Sequence, residues 1–459
     1  MFWKSPNVTF PRISQILPSR KDIVKLLQRE FGDEVPGSIL LVTGPHATQA
    51  FAEVYGSLIK EEWSSNLTLR VLKDPPSVAG VAELENWILK EMIPPPSLIV
   101  YIGSQTVADS TKALVFRLRE RFVDRNIIFG GLITGLSGDG VFSSTASLRD
   151  PEGIPVSTTA VAPNFIVGHT LTLLREPYDM KSSCVGDILS KIPSLWDYNY
   201  SCSTLNKYHD NFSANLAKAA YESLLQAEVK DRHFLHTQDA IETLFRAVQL
   251  CGLSMQLTGS SETCSGSEHV GEKWLQEYII RLNKKRSDRL DTPKHGAALM
   301  PMVITTLYMQ GQAEKAERVK EIGRRIGLPC TAQELGLNGT ILQMCLALGF
   351  GYRCPRYVAY LLGEAPFPNA KDVRSERATV LEQVEFKVLL DAIRQCMVDS
   401  EVSKREDFGE LDAARFGAMR DLAQTALGRL ERDVTEKVDC RTAQKVRAAV
   451  QEVILKDYR

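Results

Sequence analysis

Leu98–Lys112 reads LIVYIGSQTVADSTK. The unbroken apolar run Leu98–Ile102 is the pattern of a strand covered on both faces, as in a parallel sheet, rather than the alternation of a half-exposed one. It opens onto Gly103, Ser104 and Gln105, and a helix start follows with Asp109 and Lys112. A strand, a small-residue turn and a helix start can present backbone N–H groups to a phosphate. A plain tight turn, with Asp109 and Lys112 as a solvent-facing i, i+3 pair, fits the same residues.

The same alternation extends to both sides. Ser38–Thr43 (SILLVT) is a short apolar run ending at Gly44, with helical periodicity to about Glu61. Leu67–Leu72 (LTLRVL) is a second strand, stopped by Pro75 and Pro76, and a helix follows from about Ala79 to Met92. Asn126–Phe129 (NIIF) is a further strand. Strands alternating with helices imply a parallel sheet with helical crossovers, and such sheets bind ligands beyond the carboxyl ends of their strands. From about Pro177 the strand signals vanish. Trp274, Tyr278 and Leu282 repeat at helical spacing, as do Met419, Leu422, Ala426 and Leu430. Pro366 and Pro368 mark a linker. The expected class is α/β plus all-α: a Rossmann-like nucleotide domain over 1–172, a helical domain over 173–366, and a helical extension over 367–459.

Composition narrows the partners. Of 459 residues, 55 are Lys or Arg and 56 are Asp or Glu, a balance that argues against nucleic-acid and membrane surfaces. A small-molecule substrate is the expected partner, and a homo-oligomer is left open. No stretch reaches the ~20 apolar residues of a spanning helix. The first residues are interrupted by Pro6 and Pro11 and carry no signal-peptide pattern. The nine cysteines are scattered without a Cys-x-x-Cys pair, which suits a reduced, cytoplasmic setting.

Three places carry metal-ligand chemistry. Asp187 ends the run Ser-Cys-Val-Gly-Asp and enters a helix expected to continue to Tyr198. His269 follows Ser265 and Glu268, whose spacing is that of a capping box, so it falls in a first helical turn. His295 follows Thr292, a cap candidate, and Pro293, which suits a first helical position. Two imidazoles and a carboxylate are a catalytic zinc set that leaves a coordination position open for a polarised carbonyl. Fe2+, Ni2+ or Mn2+ suit the same donors. Taken singly, Asp187 is equally a helix-end carboxylate stabilised by the dipole, and the histidines ordinary half-buried ones.

The order of these segments resembles the sn-glycerol-1-phosphate dehydrogenase family, within the group that holds iron-containing alcohol dehydrogenases and dehydroquinate synthases. The likeness runs from about Ser38 to Tyr357. Its strongest block is CGLSMQLTGSSETCSGSEH (Cys251–His269), similar to a family stretch ending in a metal-binding histidine. EPYDMKSSCVGD (Glu176–Asp187) resembles a stretch whose final Asp is a metal ligand, and His295-Gly296 matches the last ligand. SGDGVFSSTASL (Ser137–Leu148) is similar to a segment whose Asp, here Asp139, lies near substrate and nicotinamide. The resemblance implies a dehydroquinate synthase-like fold, metal at Asp187, His269 and His295, and a catalytic role for Asp139. It implies NAD or NADP held around Gly103, Ser104, Gln105, Asp109, Lys112, Thr134, Ser137 and Ser143. Hydride would pass from the nicotinamide to a carbonyl carbon of a small hydroxyketone such as dihydroxyacetone phosphate.

The chain departs from that pattern in places. Ser104 and Gln105 stand at glycine positions, Gly138 at a histidine, Glu262 at an arginine and Ala297 at a glutamate. Side chains in the glycine turn hinder close approach of a diphosphate. Glu262 repels a phosphate if it faces the cleft and changes little if it faces solvent. Beside the dehydrogenase reading stand a non-redox lyase or cyclase on the same scaffold and a non-catalytic partner protein that binds through its tail.

Overall fold

The computed structural model describes residues 9–337, apart from 35, 36, 46, 64, 65, 74, 75, 205, 206, 228 and 285–291, together with residue 345. The expected linker near residue 367 and the helical extension over 367–459 lie outside the described residues.

The chain runs β1 (Ile13–Leu17), α1 (Arg20–Phe31), β2 (Ile39–Thr43), α2 (Ala47–Trp63), β3 (Leu67–Val71), α3 (Val78–Glu91), β4 (Leu98–Gly103), α4 (Gln105–Arg121) and β5 (Ile128–Ile133). A hairpin of β6 (Thr145–Arg149) and β7 (Pro155–Thr159) precedes β8 (Phe165–His169). Helices follow: α5 (Thr170–Leu174), α6 (Tyr178–Leu189), α7 (Lys191–Thr204), α8 (Asn211–Gln226), α9 (Gln238–Thr258), α10 (Ser267–Lys284), α11 (His295–Met309) and α12 (Ala313–Ile326). Two compact units interleave along this order. Among the described residues, the first comprises those up to Ile188 and Asn215–Ser261, the second Leu189–Ala214 and those from Glu262 onward. A single cut at 172 does not describe this division, because α9 belongs with the sheet.

The first unit is built on a parallel sheet in the order β1-β8-β5-β4-β2-β3. Strand β4 is central and buried throughout, with Leu98 opposite Ile39 on one side and Ile128 on the other. The sheet grows outward from β2 to β3 and, in the other direction, from β4 to β5. Their carboxyl ends therefore flank the topological switch point where such sheets take ligands. Ser19 and Ser77 cap α1 and α3 by accepting from the N–H groups of Asp22 and Gly80.

Strand β5 lies later than the expected Asn126–Phe129. Gly130 and Gly131 read as strand breakers, yet they are where two rings lie against the strand. A Cβ on Gly130 would meet the Phe165 ring at 2.4 Å, and one on Gly131 the Tyr101 ring at 2.0 Å. Strands β1 and β8 escaped the pattern reading because Ser14 and Gln15 interrupt one and Gly168 the other.

Helix α9 meets the turn Asp139–Phe142 at Gly252, where a Cβ would fall 2.2 Å from Phe142 Cβ and 2.9 Å from its carbonyl carbon. Gln256 Nε2 donates to Phe142 O at 2.7 Å in the same contact. The second unit buries Trp274, Tyr278 and Leu282 along α10, at the helical spacing read from the sequence. No helix among the described residues is long and apolar enough to cross a membrane.

Candidate functional site

Two histidines meet within the second unit. His269 lies in the first turn of α10 and His295 is the first residue of α11; their ring centroids are 5.2 Å apart. Each ring is held by a carboxylate at its Nδ1. His269 Nδ1 lies 2.7 Å from Glu268 Oε1, and His295 Nδ1 lies 3.1 Å from Glu272 Oε1. A carboxylate on Nδ1 fixes the tautomer that leaves the Nε2 lone pair for a cation. This arrangement is that of metal-ligating histidines with outer-shell carboxylates.

The local fold explains how α10 starts. Gly266 O accepts from Val270 N, and Gly266 N donates to Glu268 Oε1, so Gly266 is the helix cap. The Ser265–Glu268 capping box is thereby corrected: Glu268 reaches back one residue short of Ser265, because it also serves His269. A Cβ on Gly266 would strike Asp197 Oδ2 at 2.7 Å and Ser194 Cα at 2.9 Å, which is why glycine precedes the Ser-Glu-His run. Thr292 is likewise not the cap of α11. Lys294 holds that position without a side-chain bond, and Ala298 N donates to Lys294 O at 2.9 Å.

A buried polar network supports the pair. Ser194 Oγ donates to Glu268 Oε1 at 2.6 Å. Burial alone would push the Glu268 carboxyl up, but the bonds from His269, Ser194 and Gly266 outweigh it and hold Glu268 below the ordinary carboxylate range. Asp197 accepts from Ser267 N (2.8 Å), Ser267 Oγ (2.6 Å) and Gln310 Nε2 (2.9 Å). Burial and the neighbouring Glu268 charge drive the Asp197 carboxyl well above its usual range, and those bonds offset part of the effect. Glu272, Asp197 and Gln310 were missed from the sequence. Glu268 and Glu272 stand one helical turn apart beside a histidine, and that spacing is the signal that could have found them.

Asp187 belongs to the first unit. It is 1 % exposed and lies in the last turn of α6, which ends at Leu189 before α7 begins. The expected continuous helix from Asp187 to Tyr198 is therefore broken at Ser190. The dipole account also reverses sign, because a carboxylate at a helix C-terminus is disfavoured. A buried anion placed there calls for positive compensation or hydrogen-bond donors. One partner is the N–H of Asp139, which donates to Asp187 Oδ2 at 2.9 Å. Asp139 itself is half-buried at the head of the Asp139–Phe142 turn.

The residues around the β4–α4 turn divide into two groups. Gly103 packs the strand onto the helix, since a Cβ there would lie 2.6 Å from Val107 Cγ2. Ser104 caps α4 without a side-chain bond, which leaves the helix N-terminus suited to an anion. Thr134 donates its N–H to Gly103 O at 3.0 Å, and Ser137 is half-buried further along the same loop. Asp109, Lys112 and Ser143 turn inward. Lys112 is fully buried, pairs with Asp109 at 2.8 Å, and donates to Gly140 O (2.6 Å), Ser143 Oγ (3.3 Å) and Thr145 O. The solvent-facing reading of Asp109 and Lys112 is thus corrected: Lys112 donates to backbone carbonyls of the Asp139 segment. Burial pushes the Asp109 carboxyl up, against the opposing Lys112 charge. Glu262 lies within 3.8 Å of Lys207, which offsets its charge locally.

No family model matches the chain. It is 25% identical over 327 residues to the glycerol-1-phosphate dehydrogenase of Thermococcus kodakarensis, covering 70% of this chain and 84% of that protein. Among solved structures it is similar to a probable glycerol dehydrogenase from Sinorhizobium meliloti, with TM-score 0.59 and 16% identity over 81% of this chain and 96% of the other. The glycerol dehydrogenase of Schizosaccharomyces pombe matches equally, with TM-score 0.59 and 16% identity over 83% and 94%. The fold is therefore the one expected, a parallel sheet with helices followed by a helical region, of the glycerol dehydrogenase kind. The resemblance read from the motifs extends over most of the chain.

Proposed function

We propose that the protein is a metal-dependent, NAD(P)-linked dehydrogenase of a small polyol or hydroxyketone, phosphorylated or not. The observation that carries this is the histidine pair: two imidazoles whose Nδ1 atoms are each fixed by a buried carboxylate. His269 and His295 would hold a divalent cation, zinc in the first place, together with Asp187, whose position at a helix C-terminus fits a neighbouring cation. The cation, when bound, supplies Lewis acidity to a substrate oxygen, and the dinucleotide supplies or accepts hydride.

The chain's own residues do the placing. Glu268 and Glu272 orient the imidazoles and raise their basicity as ligands. The α4 N-terminus, at the switch point of the sheet, suits the dinucleotide's diphosphate. Asp139, whose backbone N–H donates to Asp187, would orient a substrate hydroxyl through its carboxylate, as the motif resemblance implies. The scattered cysteines and even charge suit a cytoplasmic setting and a small-molecule substrate.

The test combines two measurements on the full chain. Zinc titration by calorimetry should give one site per chain that Asp187→Ala and His269→Ala each abolish. With zinc bound, dihydroxyacetone phosphate or dihydroxyacetone should oxidise NADH or NADPH at the nicotinamide absorbance band. Zinc uptake unaffected by either substitution would defeat the proposal. Consumption of substrate without any absorbance change would favour the lyase or cyclase reading instead, to which Gln105 in the glycine turn lends support.

A further inference from the structure

The Asp139 turn is gripped from α4 by a side chain standing at a glycine position. Gln105 opens that helix, half-buried, and its carboxamide lies across Gly138 and Gly140, the two neighbours of Asp139. A Cβ on Gly138 would fall 2.4 Å from Gln105 Oε1, and one on Gly140 would fall 2.3 Å from Gln105 Nε2. The same carboxamide favours the charged form of Asp109, one helical turn along α4. No side chain at 138 is compatible with the carboxamide where it lies. The two departures noted in the sequence, glutamine at a glycine position and glycine at a histidine position, thus meet in space. The space a side chain at 138 would take is filled by the Gln105 carboxamide.

The brace reaches the candidate metal ligand. Asp139 N donates to Asp187 Oδ2 at 2.9 Å, and a Cβ on Gly138 would also approach that oxygen to 3.0 Å. Lys112 holds the far side of the same turn through Gly140 O. We infer that Gln105 is a positioning residue: its carboxamide fixes the Gly138–Gly140 turn, and through the Asp139 N–H it fixes the carboxylate of Asp187. The part concerning metal rests on Asp187 being a ligand, as proposed above.

A double-mutant cycle on the full chain tests this, with Gln105→Ala, Gly138→Ala and the pair, each measured free of metal and then titrated with zinc. Gly138→Ala alone should lower the unfolding midpoint by about 2–4 °C, as overpacking does. In the Gln105→Ala background the same change should cost less than half of that, since the clashing group is gone. Gln105→Ala should weaken zinc binding by about 10-fold, as loss of an outer-shell support does. Gln105→Asn, one methylene shorter, serves if the alanine variant does not fold, and should weaken zinc in the same direction. Additive midpoint shifts, or zinc affinity unchanged by substitution at 105, would overturn the inference. If the unaltered chain takes up no zinc, the proposed function fails, while the metal-free cycle still decides whether the brace exists.

Discussion

Glu176 carries a sharp test of how the loop before Asp139 is held. Its two carboxylate oxygens accept from Leu136 N at 2.9 and 3.0 Å, and a Cβ on Gly135 would strike the same group. Burial pushes its pKa up from 4.5 to about 8, against the opposing Leu136 N–H and Lys181 ammonium, with Asp179 adding to the rise. A raised carboxyl pKa means that the folded state binds the proton more tightly than the unfolded chain does. Stability is then unaffected by this group below about pH 4.5, falls through the window up to about pH 8, and levels off above it. Across pH 6 to 8 the loss from this one group comes to about 2 kcal/mol, an order-of-magnitude figure from linkage. Glu176→Gln keeps an acceptor for Leu136 N and cannot ionise. Urea unfolding of both proteins at pH 6 and pH 8 should show the unaltered chain losing about 2 kcal/mol relative to the glutamine variant. Parallel stability curves across this window, or a difference of opposite sign, would refute the burial argument.

Other sites give equally direct expectations. Glu272→Gln keeps the shape beside His295 but removes the charge, and should weaken zinc binding by about 10–100-fold in competition with a chromophoric chelator. Lys112→Met strands Asp109 in the interior and should cost about 3–5 kcal/mol in chemical denaturation, with Asp109→Asn in the same chain restoring part of it. Gly252→Ala decides between two effects of opposite sign. Helix propensity alone would stabilise α9 by about 1 kcal/mol, whereas the overlap with the Phe142 backbone should cost about 1–3 kcal/mol, so a lowered unfolding midpoint is expected.

The sequence displayed the sheet where strands are uniformly apolar or alternate cleanly, as in Leu67–Val71, and lost it where packing demanded something else. Leu98–Ile102 and Ser38–Thr43 were legible because both faces are buried. Gly130 and Gly131 hid most of β5, since a glycine that makes room for a ring looks the same as one that breaks a strand. The histidines were legible as helix-start residues, and their caps were not, because a single Glu268 oxygen, Oε1, is divided among Gly266 N, Ser194 Oγ and His269 Nδ1. No short-range pattern encodes that division. Asp187 was placed correctly in sequence and at the wrong end of its helix. Ser190 ends α6, and the one local sign of the break is Pro193 in the first turn of α7.

Helix α4 shows how far a spacing rule can mislead at a functional site. Gln105, Asp109 and Lys112 recur at i, i+4 and i+7, the interval that ordinarily marks an apolar face turned to a core. Here the face turned inward is polar, and all three side chains act on the segment from Gly138 to Thr145 or on one another. Stability offers no reason for such a stripe, because a buried ion pair is commonly no better than apolar side chains of the same volume. What apolar residues cannot do is hold particular backbone carbonyls in place. Lys112 holds those of Gly140 and Thr145, and the Gln105 carboxamide lies over both neighbours of Asp139. The polar face of α4 therefore acts as a frame for one turn, and the position of that turn sets where the Asp139 N–H meets Asp187.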